Sequence, residues 1–203
     1  FKEKKAPNLL AYLDLVALGT VCDVVELKKY NRLFVKKGLE LIQKRYHKGI
    51  SKLIDNSKIN SLPTSQDLAF VVGPQINAAS RIDDSTLASK LLISNDIEQI
   101  DSISRKLFLL NEKRKLIEAQ ILDKAKEQAS SQFNSRFIIV YGDNWHQGVL
   151  GIIASKLSEI YYKPTIVISF INNIGVGSAR SIDHIDLGKI ILQANNQNIL
   201  VNG

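Results

Sequence analysis

The chain has 203 residues, 45% hydrophobic and 23% charged, and a formal net charge of +7. No apolar run approaches the roughly 20 residues that span a bilayer, and no secretory-leader pattern is visible in the charged opening "FKEKKAPN", so no membrane-spanning helix is expected. The single cysteine, Cys22, excludes an internal disulfide framework, fits a reducing compartment and makes the cytoplasm the expected location.

Leu9, Leu10, Leu13, Val16 and Ala17 recur at helical spacing and predict a helix ending near Gly19. A second helical pattern runs from about Asn31 to Arg45, and a short third one is "GISKLIDNS". "PTSQDLAFVVG" opens with Thr64 and Asp67 at capping-box spacing and is expected to break at Gly73 and Pro74. "STLASKLLIS" is a further short helix.

From Asp96 to about Ser130 the chain carries no Gly or Pro. Ile97, Ile100, Ile103, Leu107, Leu110, Ile117 and Ile121 keep a helical spacing opposite a heavily charged face. A helix of roughly 50 Å at 1.5 Å per residue is longer than a compact domain needs, which predicts a connector between two lobes. Beyond it, "RFIIVYGD", "PTIVISF" and "IGVGSAR" read as strands, with helices at "QGVLGIIASKLSEIYY" and "IDLGKIILQAN". The expected class is α/β: a helical part over 1–95, a connector helix over 96–131, and the start of an α/β lobe over 132–203. With no Met anywhere and a last segment "NILVNG" directly after an apolar stretch, the sequence reads as a piece of a longer protein.

There is no Walker-type loop, no dinucleotide-binding glycine pattern and no zinc-ligand spacing. The histidines, His47, His146 and His184, are far apart and read as surface or structural residues. Four stretches stand out. In "LVALGTVCDVVEL" the carboxylate of Asp23 lies among apolar residues, where it caps a turn, faces water or supplies an oxygen ligand to a hard cation. In "GPQINAASRIDD", Asn77 and Arg81 follow small residues that allow close approach, and the Arg fork suits a phosphate, although Arg81 could equally pair with Asp83 or Asp84. In "DNWHQGVLGIIASKL", Trp145 and His146 precede a helix start that attracts anions, and Trp145 either stacks a base or packs in a core. In "GVGSARSID", Ser178 and Arg180 share one strand face, as a phosphate seat or as a solvated edge. The net positive charge is compatible with a nucleic-acid partner.

Taken in order, "LDLVALGTVCDVVEL", "LAFVVGPQINAASRIDD", "NWHQGVLGIIASKL" and "GSARSI" resemble the RecJ family of bacterial single-strand-specific exonucleases, within the DHH phosphoesterase superfamily. The resemblance runs from about residue 9 to the end. It implies that Asp23 is a ligand of a two-metal Mn²⁺ or Mg²⁺ centre, that Arg81 contacts DNA near the cleft, and that Ser178 and Arg180 hold the phosphate at the 5′ end. It further implies 5′-to-3′ hydrolysis of single-stranded DNA in repair and recombination, with a RecQ-type helicase and a single-strand-binding protein as candidate partners. The family's Asp-x-Asp and Asp-His-His motifs have no counterpart here, and its Gly-Gly-His motif would begin at Asn202 and Gly203. The chain alone is therefore expected to be inactive. Competing readings are a superfamily phosphodiesterase of short oligonucleotides or cyclic dinucleotides, and a non-catalytic DHH scaffold of DNA replication.

Overall fold

The computed structural model describes residues 8–59 and 61–201, so the expected Gly-Gly-His start at Asn202 and Gly203 lies outside the described residues. Two compact units divide within one long helix, Phe1–Lys113 and Arg114–Gly203. The three-part division expected from the sequence sets that helix apart on its own.

The first unit is helical. A 3₁₀ turn, Leu9–Tyr12, leads into α1 (Leu13–Cys22), followed by α2 (Lys29–Gln43) and α3 (Lys48–Asn56). Gly19 and Thr20 stay inside α1, so the helix ends later than its apolar spacing suggests. Next come α4 (Ser65–Asp67) with the predicted Thr64–Asp67 capping box, a π-helical turn Leu68–Val72, α5 (Gly73–Ile82) and α6 (Thr86–Ile93). The expected break at Gly73–Pro74 does not occur. The π turn carries the chain onward, with the Gly73 N–H donating back to the Leu68 carbonyl, and Pro74 falls in the first turn of α5, where a missing N–H costs nothing.

The core of this unit gathers Ala17 and Leu18 of α1, Ile42 of α2, Leu53 and Ile54 of α3, and Leu68 and Leu91. Each large aliphatic side chain buried there contributes about 1.5–3 kcal/mol. One buried residue of α1 is not apolar: Asp14 is fully buried, and its carboxylate accepts the Leu15 N–H at 2.8 Å and a hydrogen bond from His47 Nδ1. We expect His47→Ala to destabilise the chain by about 3 kcal/mol, because it strands a buried carboxylate with one backbone donor. Urea unfolding followed by circular dichroism measures this, and a loss under about 1 kcal/mol would show that the pair is not needed.

The long helix α7 (Ile97–Ser130) places Ile100, Ile103 and Leu107 in the first core and Ile121, Ala125 and Ala129 in the second. Its charged face is not merely solvated. Lys52 and Lys106 pair with Asp101 and Asp83 at 2.7 and 2.9 Å and hold both carboxyls below their ordinary range. Glu118, almost buried, accepts from Arg114 and Lys156, each at 2.5 Å.

In the second unit a three-stranded sheet forms among the described residues, in the order β1 (Ile138–Asp143), β2 (Thr165–Ile171), β3 (Ile174–Arg180). β1 and β2 are parallel and are joined through α8 (Gln147–Tyr161), while β2 and β3 form an antiparallel pair. Ile138, Val140 and Val167 point into a core with Val149, Ile153 and Leu157 of α8. The last helix is α9 (Leu187–Asn196), capped by Asp186 on the Lys189 N–H. The end of α7 and the turn after it also finish the sheet. The Gln128 amide exchanges two hydrogen bonds with the backbone of Tyr141 (2.7 and 2.9 Å), and Gln132 does the same with Ile139 (2.8 and 2.9 Å). Two side chains thus act as a surrogate strand along an edge that would otherwise offer unpaired backbone groups. The architecture is helical, then α/β, as expected.

Candidate functional site

Asp23 follows the last residue of α1. Its own N–H donates to the Gly19 carbonyl at 3.0 Å, and the next residue, Val24, turns the chain with φ of 54°. A left-handed conformation is costly for a β-branched residue, so the turn is held by its surroundings. Val25 N–H closes it on the Thr20 carbonyl at 3.0 Å. The Asp23 side chain is exposed and makes no hydrogen bond or ion pair with the described residues, so it does not cap the turn. A carboxylate at the C-terminal, negative end of a helix is disfavoured by about 0.3–1 kcal/mol unless a cation compensates. Beside it, burial pushes the Cys22 thiol up, and the Asp23 charge adds to the effect.

Cys22 also joins two of the four stretches. A side chain at Gly73 would sit 2.6 Å from Cys22 Sγ and 3.0 Å from the Leu68 carbonyl, so only glycine lets the start of α5 lie against the end of α1. Positions 73, 77 and 81 follow one another at four-residue spacing and share a face of α5. Asn77 is exposed on that face and Arg81 partly so. Asp83 pairs with Lys106, and Asp84 with Thr86 and Lys90. Within this unit the fold therefore brings the carboxylate stretch and the Asn77–Arg81 stretch together through Cys22 and Gly73. Among the described residues no group of three or more His, Cys, Asp or Glu side chains is close enough to hold a metal, so Asp23 offers one oxygen ligand and not a complete centre.

In the second unit Ser178 and Arg180 share the face of β3 that looks onto α8. Ser178 Oγ and Arg180 Nη2 lie 3.1 and 3.6 Å from where a Cβ on Gly151 would stand. Arg180 Nε donates to Ser155 Oγ at 2.9 Å, and Nη1 donates to the Ala179 carbonyl at 3.1 Å. Nη2 makes no hydrogen bond with the described residues. The guanidinium is exposed yet held at one edge, with a free N–H pair beside a hydroxyl and a missing side chain. That arrangement has the donors and the room for a tetrahedral anion. Gly151 belongs to the helix start that the sequence marks after Trp145 and His146, whereas Ser155 carries no signal there beyond its four-residue spacing from Gly151 on one face of α8.

Trp145 and His146 are placed otherwise. Trp145 is 7% exposed, packed in the second core with its ring over Gly142, so it presents no face for stacking a base. Ser169 Oγ donates to its carbonyl at 2.8 Å. His146 is the N-cap of α8, its Nδ1 accepting the Gly148 N–H at 3.2 Å, which occupies a donor that an anion would use. Both serve the fold.

Residues 134–198 match the DHHA1 domain family. The chain is 39% identical over 184 residues to the single-stranded-DNA-specific exonuclease RecJ of Dickeya dadantii, covering 87% of this chain and 32% of that protein. It superposes on the crystal structures of RecJ from Thermus thermophilus in complex with Mn²⁺ and with Mg²⁺, each with a TM-score of 0.84 at 30% identity. These alignments cover 94% of this chain and 28% and 30% of those chains. The chain thus spans about a third of the length of the curated relatives it matches.

Proposed function

Since the chain is RecJ-like and of the DHH phosphoesterase superfamily, we propose that it forms part of a metal-dependent 5′-to-3′ exonuclease that hydrolyses single-stranded DNA in repair and recombination. On this reading residues 1–95 are the C-terminal part of a DHH catalytic domain, 96–131 a connector helix, and 132–203 the N-terminal part of a DHH-associated domain. The match of 134–198 to DHHA1 supports the last of these.

The observation that carries the reading is the seat made by Gly151, Ser155, Ser178 and Arg180. Ser155 holds the guanidinium by Nε, so Nη2 and the Ser178 hydroxyl remain to take the oxygens of a 5′ phosphate. Charge-assisted bonds of this kind are directional, and they fix where a strand begins. Asn77 and Arg81, on one face of α5, would contact DNA through its phosphates. Asp23 suits one position in a Mn²⁺ or Mg²⁺ centre, since hard cations take carboxylate oxygens. Such ions, when bound, supply an activated water and stabilise the leaving 3′ oxygen. Asp23 would supply one ligand of that centre, since among the described residues no group of three or more His, Cys, Asp or Glu side chains could hold a metal. Single-stranded DNA is the proposed substrate, a RecQ-type helicase and a single-strand-binding protein the proposed partners, and the cytoplasm the proposed location. No helix among the described residues is long and apolar enough to cross a membrane.

Incubation of labelled oligonucleotides with Mn²⁺ or Mg²⁺ tests the assignment. The full-length protein that carries this chain should release mononucleotides from the 5′ end of single strands and spare duplexes. Residues 1–203 alone should release none, because one carboxylate does not build a two-metal centre. Degradation from the 3′ end by the full-length protein, or release by the 203-residue chain above a mock preparation, would refute it.

A further inference from the structure

A cavity of about 690 Å³ opens in the first unit, well inside the roughly 300–1,000 Å³ of small-molecule sites. It lies at the opposite end of α1 from Asp23. Tyr12 and Asp23 are separated by the length of the helix, about 16 Å at 1.5 Å per residue. Three rings form one wall: Tyr12 and Tyr46 flank His47, with centroids 6.0 and 5.3 Å away. Tyr12 is 48% and Tyr46 57% exposed, so each keeps much of its ring surface open. His47 cannot swing freely, because its Nδ1 is held by the buried Asp14 carboxylate.

The polar lining is equally selective. Lys48 makes no ion pair with the described residues, and no carboxylate is among the lining residues. Asn95 adds an amide able both to donate and to accept, and Asn8, whose Oδ1 caps the Leu10 N–H at 3.2 Å, adds its amide N–H groups. A flat ring system is needed to use the aromatic wall, an anion to use the lysine, and hydrogen-bonding edges to use the amides. A nucleotide combines all three, and stacking of bases on aromatic side chains does not depend on base identity. We propose that this cavity is a second nucleotide-binding site, taking a base against Tyr12 and Tyr46 and a phosphate on Lys48. Its occupant is either a free nucleoside monophosphate or one unstacked nucleotide of a single strand. The inference stands apart from the metal ligand and from the Arg180 seat, neither of which contributes a residue to it.

Titration calorimetry in EDTA, where no hydrolysis occurs, tests it on the 203-residue chain with 2′-deoxyadenosine 5′-monophosphate, 2′-deoxyadenosine and a thymidine dodecamer. Tyr46→Ala should weaken binding about tenfold, the size of one lost base stack, while Tyr46→Phe keeps it. Lys48→Ala should weaken the monophosphate severalfold and leave the nucleoside unchanged. If the monophosphate responds to both variants, the site takes free nucleotide. If only the dodecamer responds, it takes a base of the strand. Circular dichroism checks the fold, and should Tyr46→Ala unfold, the Lys48→Ala contrast between nucleotide and nucleoside carries the test. Unchanged affinity for the monophosphate and for the dodecamer in the folded variants would overturn the proposal.

Discussion

Asp23→Asn, placed in the full-length protein, should lower Mn²⁺-dependent release of nucleotides from single strands by at least about 100-fold, and raised Mn²⁺ should not restore it. The expectation rests on what surrounds the carboxylate. It accepts no hydrogen bond from the described residues, it is exposed, and it stands at the negative end of α1. None of these features stabilises the fold. Asn keeps the shape, removes the charge, and relieves an unfavourable interaction with the helix dipole of about 0.3–1 kcal/mol. The variant should therefore melt at the same temperature as the parent or slightly higher. The neighbouring thiol gives an internal check. Burial chiefly, and the Asp23 charge in addition, push Cys22 up, so removing that charge should move the thiol back towards its ordinary range. Titrating its reactivity with a thiol reagent in EDTA, where no metal offsets the Asp23 charge, shows that shift. Turnover close to the parent's at saturating Mn²⁺ would end the ligand assignment, and a lowered melting temperature would make Asp23 a structural residue.

How far the sequence could be read depended on how local the determining interactions were. The helices of the first unit and the strand–helix–strand order of the second follow from apolar periodicity, which is a property of neighbouring residues. Gly73 and Pro74 read as a break, because the π turn that carries the chain past them depends on packing of Gly73 against Cys22, a contact made across the fold. Asp23 drew attention because its sequence neighbours are apolar, yet it is Asp14 that is fully buried. Its burial follows from its place on the inward face of α1, three and four residues before Ala17 and Leu18, a face that the largely apolar sequence of α1 does not mark. Its partner was not legible either, since His47 lies 33 residues away. Trp145 before a helix start suits a core anchor or a stacking platform equally, and only the position of Gly142 beneath the ring separates them. The surrogate strand made by Gln128 and Gln132 has no pattern of its own, because a polar residue near the end of α7 and one in the turn after it look the same whether they face water or a sheet edge. At the Arg180 seat, alternation along β3 put Ser178 and Arg180 on one face. The residue that anchors the guanidinium, Ser155, came only with the packing of α8 on that face.

Arg180→Ala in the full-length protein should slow cleavage of 5′-phosphorylated single strands by tenfold or more, with a smaller loss on 5′-hydroxyl strands. A charge-assisted contact to phosphate is worth about 1.5–3 kcal/mol, which is the size of that effect. The salt dependence of single-strand binding should fall by about 0.7 in logarithmic slope, the share of one phosphate contact. Lysine should restore only part of the activity: it keeps the charge but loses the Nε–H that donates to Ser155 at 2.9 Å, and with it the fixed direction of the remaining donors. Gly151→Ala probes the same seat without touching a charge. The added methyl would stand 3.1 Å from Ser178 Oγ and 3.6 Å from Arg180 Nη2, inside the space the phosphate needs, so it too should penalise phosphorylated ends more than hydroxyl ends. A structural role for Arg180 predicts a different pattern. The side chain is exposed, and its bonds to Ser155 and to the Ala179 carbonyl would then serve to pin β3 to α8. Their loss would lower the melting temperature and slow cleavage equally on both substrates. Matched 5′-phosphate and 5′-hydroxyl oligonucleotides, assayed beside thermal melts of each variant, separate the two, and equal slowing with a lowered melt would remove the phosphate from this seat.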